Sequence, residues 1–130
     1  MKTLALATLL ALPPMVAACA DETLTGYAEG TYQLEEIDGV AFQWGATLEL
    51  GEEGRISGRA PCNGYSAEQT APYPWFKPGP IMATKMACLH MNGEAEFFEA
   101  LGAMTLAEAN GPVLILSNED GREMVFRRDP

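Results

Sequence analysis

A chain of 130 residues, 48% apolar and 20% charged, has the composition of one ordinary globular domain. Eighteen acidic residues against eight basic ones give a formal charge of −10. That argues against nucleic acid as a partner, which needs clustered Lys and Arg, and disfavours adhesion to an anionic membrane by charge alone. Three cysteines and one histidine leave most zinc-site and thiol-catalysis layouts short of ligands.

Met1-Lys2 is a short positive start, and Thr3 to Leu12 is an uncharged Leu/Ala/Thr run stopped by Pro13-Pro14. As a helix this run rises only ~15 Å, half of a ~30 Å hydrocarbon core, so it cannot span a bilayer. Residues 1–18 are therefore expected to be a secretory signal peptide. Val16-Ala17-Ala18-Cys19 resembles a bacterial lipobox, with Val where Leu is usual, and makes Cys19 the expected lipidated first residue. Ala18-Cys19-Ala20 also fits the small-x-small rule of ordinary signal peptidase, which would leave a soluble chain beginning at Asp21. Lipidation is the favoured reading. Ala20, not Asp, follows the cysteine, which by the enteric sorting rule points to the outer membrane, on its periplasmic side. Residues 19–29 read as the lipidated N-terminus and a short polar tether, and 30–130 as the domain.

With Cys19 set aside, Cys62 and Cys88 remain as an even pair in an exported chain, and export into an oxidising compartment makes a disulfide the default expectation. In the chain-entropy picture such a loop closure is worth roughly 3 to 4 kcal/mol. The alternative is a free thiol, which needs a low-pKa environment that no neighbouring residue supplies.

Strand signals recur at short spacing along the domain. Thr31 to Glu35 alternates apolar with polar and ends at the turn Asp38-Gly39. Thr47 to Leu50 alternates again, and Gly51-Glu52-Glu53-Gly54 turns the chain into Arg55 to Gly58, a hairpin signal. Ala71 to Pro80 holds four prolines around Tyr73, Trp75 and Phe76, so it is expected to be an edge strand or an ordered loop. One helix is expected: Asn92 can cap it, Glu94, Glu96 and Glu99 load its first turns, and Gly102 marks its end. Phe97, Phe98, Leu101 and Met104 form its apolar face. Thr105 to Ala109, Val113 to Leu116 and Glu123 to Arg127 follow as strands, separated by turns at Asn110-Gly111 and Asn118 to Gly121. The fold expected is mostly β with one short α-helix, a single-domain, barrel-like antiparallel sheet.

Motifs in this order resemble a META domain protein of the HslJ-like family. Tyr32-x-Leu34-x-x-Ile37-x-Gly39 resembles the opening strand, with Tyr where Trp is common. Gly58-Arg59-Ala60-Pro61-Cys62-Asn63-x-Tyr65 resembles the central G-x-x-x-C-N-x-[FY] signature, with Pro61 where Gly is frequent. Thr84-Lys85-Met86-Ala87-Cys88 is similar to the T-[RK]-M-A-C element, and Glu96 to Leu101 resembles the E-x-x-F-x-x-A-L helix in compressed spacing. The resemblance runs from about Thr31 to Arg128 and departs at Glu68 to Pro80, where prolines replace a Gly-rich strand. It implies a compact barrel-like sheet with a short helix. It also implies an envelope or secreted domain tied to heat shock and antibiotic tolerance, with no established enzymatic activity or cofactor.

The chain offers little chemistry of its own. His90 is the one imidazole and no G-x-S-x-G element accompanies it, so it reads as a solvent-exposed loop residue. Met82, Met86, His90 and Met91 are soft donors suited to Cu(I), yet Met is also an ordinary core gap-filler. Glu52-Glu53 and Glu119-Asp120 fall in turns, and Glu35-Glu36 are expected to face opposite sides of a strand. A Cys62–Cys88 bond would bring Asn63 and Thr84 together, and these with Tyr65 form a possible binding patch; the plainer alternative is that they satisfy the turn and the sheet. The aromatics Tyr73, Trp75 and Phe76 are either a docking surface or a lid. The function expected is a non-enzymatic envelope lipoprotein, monomeric and without cofactor or metal, acting in binding or stress tolerance through an unknown envelope protein. The alternative is a barrel-type carrier of a small apolar ligand or a soft metal ion.

Overall fold

In the computed structural model, which describes residues 3–13 and 20–129, the apolar/polar alternation becomes nine strands and one helix. Strands β1 (Gly30–Ile37), β2 (Val40–Ala41), β3 (Thr47–Leu50), β4 (Arg55–Arg59), β5 (Gly64–Glu68) and β6 (Met82–Ala83) precede helix α1 (Glu94–Ala103). Strands β7 (Leu106–Asn110), β8 (Val113–Ser117) and β9 (Glu123–Arg127) follow it. All pair antiparallel in one sheet of order β6-β5-β4-β3-β1-β9-β8-β7, with β2 paired to β1 off this path. The Asp38-Gly39 turn joins β1 to β2 with both residues at positive φ, the geometry a two-residue hairpin of matching twist requires.

The sheet is barrel-like but unclosed. The proline-rich segment lies across its gap. Pro78 bridges Gln69 beyond β5, and Trp75 bridges Leu106 of β7. The Gly79 N–H donates to the Glu68 carbonyl at 2.7 Å and the Phe76 N–H to the Thr105 carbonyl at 2.9 Å. Prolines have no N–H to give a ladder, so the bonds come from the residues between them. This stretch is an ordered loop, one of the two expected readings, and Phe76 within it is buried.

Register fixes two ends. At one lie Gly30, Leu50, Arg55, Glu68 and Asn110; at the other lie Ile37, Thr47, Arg59, Gly64 and Leu106. Helix α1 lies at the second end, tied there by the Glu94 carboxylate to β5's approach and by Ala103, whose carbonyl accepts from Asn118 Nδ2 at 3.0 Å. Between the ends the interior is packed with Tyr32, Leu48, Ile56, Phe76, Phe97, Leu101, Leu114, Leu116, Met124 and Phe126, all essentially inaccessible. Phe97, Leu101 and Met104 are buried as the expected helix face, with Phe98 half-buried beside them.

Three local expectations need correction. The helix is not capped by Asn92: Gly93 is the N-cap, at φ +82°, with no side-chain cap bond. An added Cβ there would stand 2.2 Å from the Trp44 ring, so both the backbone and the neighbour demand glycine. Glu35 and Glu36 do not face opposite sides. A register shift between Leu34 and Glu36 opposite β9 leaves both exposed before Ile37 turns inward, as a β-bulge does.

The third correction concerns the expected tether. Residues Asp21 to Glu29 are docked on the domain at the Gly30 end. Leu24, on a single 3-10 turn, is fully buried in the core. The Thr25 hydroxyl accepts the Gly54 N–H at 2.8 Å, the Glu22 carbonyl accepts the Tyr73 N–H at 2.7 Å, and Arg128 donates to the Glu29 carbonyl at 2.8 Å. The segment closes that end as α1 closes the other. Residues 3–13 contain neither helix nor strand, and Leu4, Leu6, Leu9, Leu10 and Leu12 are all exposed, taking no part in the core. Met1-Lys2 and the lipobox expected at Val16 to Cys19 lie outside the described residues.

Candidate functional site

The polar residues singled out in the sequence converge where β4, β5 and α1 meet. Cys62 and Cys88 form a disulfide with Cα atoms 6.1 Å apart, an ordinary separation for such a bond. The bond holds the 84–93 segment over the turn between β4 and β5. Asn63 is buried there, and every polar atom of it is engaged. Its N–H donates to Glu94 Oε1 at 2.7 Å and its Nδ2 to Glu94 Oε2 at 2.7 Å. Its Oδ1 accepts from Thr84 Oγ1 at 2.9 Å and from the Met86 N–H at 2.6 Å. Its carbonyl accepts from the Ala60 N–H at 2.8 Å.

Glu94 was not among the expected site residues; its place at the start of α1 reads as an ordinary favourable charge for the helix dipole. It is buried and takes a third bond, from the Cys62 N–H at 3.0 Å. Burial pushes its carboxyl up, but the bonds from the Asn63 N–H, the Asn63 side chain and the Cys62 N–H outweigh that and hold it below the usual value. The hint available in the sequence was Asn63 itself, a polar residue beside a half-cystine that must find a buried acceptor.

Thr84 is joined to this hub, since its hydroxyl also accepts the Gly64 N–H at 3.2 Å. Tyr65 points the other way. Its hydroxyl donates to the Thr47 carbonyl at 2.6 Å, and its ring packs edge-on against Phe97 and Phe98 at 5.4 and 5.6 Å. Burial raises its phenol above the ordinary range. Gly58 belongs to the same construction: a Cβ there would lie 2.2 Å from the Thr47 carbonyl oxygen, so β3 and β4 approach closely only through glycine. The structure thus brings Asn63 and Thr84 together and directs their polar atoms at the chain itself. What the hub does is hold the disulfide turn onto the helix N-terminus.

Several apolar side chains are exposed around this end, among polar and charged ones. Leu89 is 98% exposed, and Met86, Met91 and Trp44 are about half exposed, with Trp44 against Gly93. Met82 and His90 are exposed as well. Among the described residues no group of three or more His, Cys, Asp or Glu side chains is placed to hold a metal. Arg122 links the same end of the sheet to the helix, bonding Asp38 at 3.1 Å and Glu99 at 2.6 Å. A groove of about 590 Å³ runs along the outer edge of β5, lined by Arg55, Ser66, Glu68, Thr70, Pro80 and Met82 among others. It lies outside the packed interior.

Comparison with known proteins agrees with this architecture. An NMR structure of a protein from Burkholderia xenovorans aligns with TM-score 0.61 at 22% identity, covering 92% of this chain and 99% of that one. A crystal structure of a DUF4847 family protein from Bacteroides vulgatus aligns with TM-score 0.61 at 14% identity, covering 79% and 94%. At such identities the likeness is one of fold. No curated protein matches the chain. The META domain family model matches residues 22–130, beginning within the docked N-terminal segment and containing the Cys62-Asn63 turn, the Thr84 to Cys88 element and α1. The chain belongs to the META domain family.

Proposed function

We propose that this protein is a non-enzymatic, HslJ-like envelope lipoprotein, anchored through Cys19, that acts by protein contact in tolerance of envelope stress. The observation that carries the reading is a filled interior together with apolar side chains exposed at the α1 end. Tyr32, Phe76, Phe97 and Phe126 occupy the space a barrel carrier would keep for its cargo, while Trp44, Met86, Leu89 and Met91 face outward around the disulfide turn. Exposed apolar side chains grouped in this way are characteristic of interaction sites. The exposed leucines of residues 3–13 suit a signal segment that is removed from the mature chain.

A photo-crosslinking residue at position 89, expressed in the native envelope, should give a discrete protein adduct, and one at Glu49 on the outer face of β3 should give none. Absence of any adduct specific to position 89 would overturn the contact reading. The carrier alternative rests on the groove beside β5. Saturable binding of a fluorescent fatty acid, lost in Met82→Asp, would transfer the function there.

A further inference from the structure

We propose that the Gly30 end of the domain, closed by residues 21–29, rests on the surface of a lipid bilayer, with Tyr27 and Tyr73 in the headgroup layer. The inference rests on the reading of Cys19 as lipidated, and adds to it an orientation.

Its first support is the shortness of the free chain. Asp21 is fixed through its carboxylate, which accepts from the Thr23 N–H at 2.9 Å, the Thr23 hydroxyl at 2.6 Å and the Thr25 hydroxyl. Its carbonyl oxygen lies close against Gly26, where an added Cβ would stand 1.9 Å from it. Cys19 is two residues earlier in the sequence, and two steps of extended chain reach at most ~7 Å. A bilayer is ~40–45 Å thick with its headgroups and ~30 Å without, so each headgroup layer is roughly 5–8 Å deep. A lipid on Cys19 therefore keeps Asp21, and this end of the domain with it, at or just above the headgroup layer.

The second support is the chemistry of the surface that meets them. The Tyr27 ring, 60% exposed, stacks on Tyr73 with centroids 4.5 Å apart and planes 19° from parallel. The Tyr73 N–H bonds to Glu22, next to the fixed Asp21, whereas Trp75, paired with Leu106, lies toward the α1 end. Tyr73 is half-buried, its hydroxyl accepting the Ala109 N–H at 3.1 Å. Tyr27 is thus the ring that faces outward, and an aromatic ring with a polar tip favours the boundary between hydrocarbon and water. Charges of both signs surround them, with Glu22, Glu29 and Lys77 exposed and Arg128 half-buried. The rings and the lipid, not net charge, make the contact, as a chain of charge −10 requires. With this end seated, the disulfide turn and Leu89, at the α1 end, face away from the bilayer.

The test uses the lipidated chain in phosphatidylethanolamine/phosphatidylglycerol vesicles containing acyl-brominated lipid. In one protein Tyr27→Trp, Trp44→Phe and Trp75→Phe leave an indole at position 27; in another, Trp75→Phe leaves only Trp44. Emission from position 27 should be blue-shifted and quenched by the brominated lipid, and Trp44 emission unchanged. As a measurement without substitutions, hydroxyl-radical labelling of the wild-type chain should show Tyr27 and Tyr73 protected on vesicles and Leu89 and Met91 not. An unquenched indole at position 27, or unprotected tyrosines, in a chain whose mass carries the acyl groups would overturn the seat and leave the lipoprotein reading standing. Equal quenching at both positions would overturn the orientation. Protection of Tyr27 by a second copy in the absence of vesicles would assign this face to self-association instead. A chain recovered without acyl groups would overturn the lipoprotein reading, and the seat with it.

Discussion

Replacing Glu94 by Ala removes the acceptor for three donors at once: the Cys62 N–H, the Asn63 N–H and the Asn63 amide nitrogen. Asn63 cannot turn its amide to compensate, because its Oδ1 already serves Thr84 and Met86. Each buried donor left unsatisfied costs about 1–3 kcal/mol, more for a bond to a charged partner. Water entering the space left by the carboxylate will recover part of this, so the expected loss is about 3–5 kcal/mol, the usual cost of stripping one side of a buried charged contact. At roughly 4 °C per kcal/mol for a domain of this size, the melting temperature should fall by about 12 °C or more. Urea titration followed by tryptophan emission, with the disulfide intact in both proteins, measures the loss directly. Glu94→Gln keeps one acceptor oxygen and sets its amide against a donor, so it should fall between wild type and Glu94→Ala. A Glu94→Ala protein within about 1 kcal/mol of wild type would mean that the hub is an incidental contact and that α1 is held by Phe97 and Leu101 alone.

The same carboxylate makes stability depend on pH. Its folded-state value lies below the ordinary glutamate value of 4.5, so its contribution is complete above that value and is lost as pH falls through the folded one. The stability gap between wild type and Glu94→Gln should therefore narrow on acidification, and a gap independent of pH would show that the ionised form is not what is bonded. Replacing both Cys62 and Cys88 by Ala should lower stability by about 3–4 kcal/mol; an unchanged melting temperature would refute the brace. Leu24→Ala should cost about 2–5 kcal/mol, as for other fully buried leucines. It should also open the 21–29 segment to limited proteolysis, whereas resistance equal to wild type would show that the segment is not part of the cooperative fold.

Much of the sheet was legible because antiparallel strands with one wet face print a period of two on the sequence. Thr47 to Leu50 appears where its alternation places it, and Arg55 to Gly58, Val113 to Leu116 and Glu123 to Arg127 appear where the turns that bound them place them. β5 was hidden because Gly64-Tyr65-Ser66-Ala67-Glu68 offers only one large apolar residue, and β6 and β2, at two residues each, are too short to show a period. The bulge at Glu35-Glu36 depends on how β1 meets β9, some ninety residues later, and leaves no local mark. The docked N-terminal segment was misread for a similar reason. Leu24 is its one large buried residue, and the groups that bond the segment, the Gly54 N–H to Thr25 and the Tyr73 N–H to Glu22, come from distant turns and loops.

The site was legible to the same extent and for the same reason. The cysteine count paired Cys62 with Cys88, and the pairing brought Asn63 to Thr84. Glu94 escaped because a glutamate opening a helix needs no further explanation until Asn63, thirty-one positions earlier, is seen bonded to it.

The proposed anchor at Cys19 underlies both the proposed envelope location and the proposed orientation of the domain, and intact mass of the protein isolated from its native source tests it most directly. The expected species begins at Cys19 and carries two or three acyl chains on that residue. An unmodified chain beginning at Asp21 would contradict it.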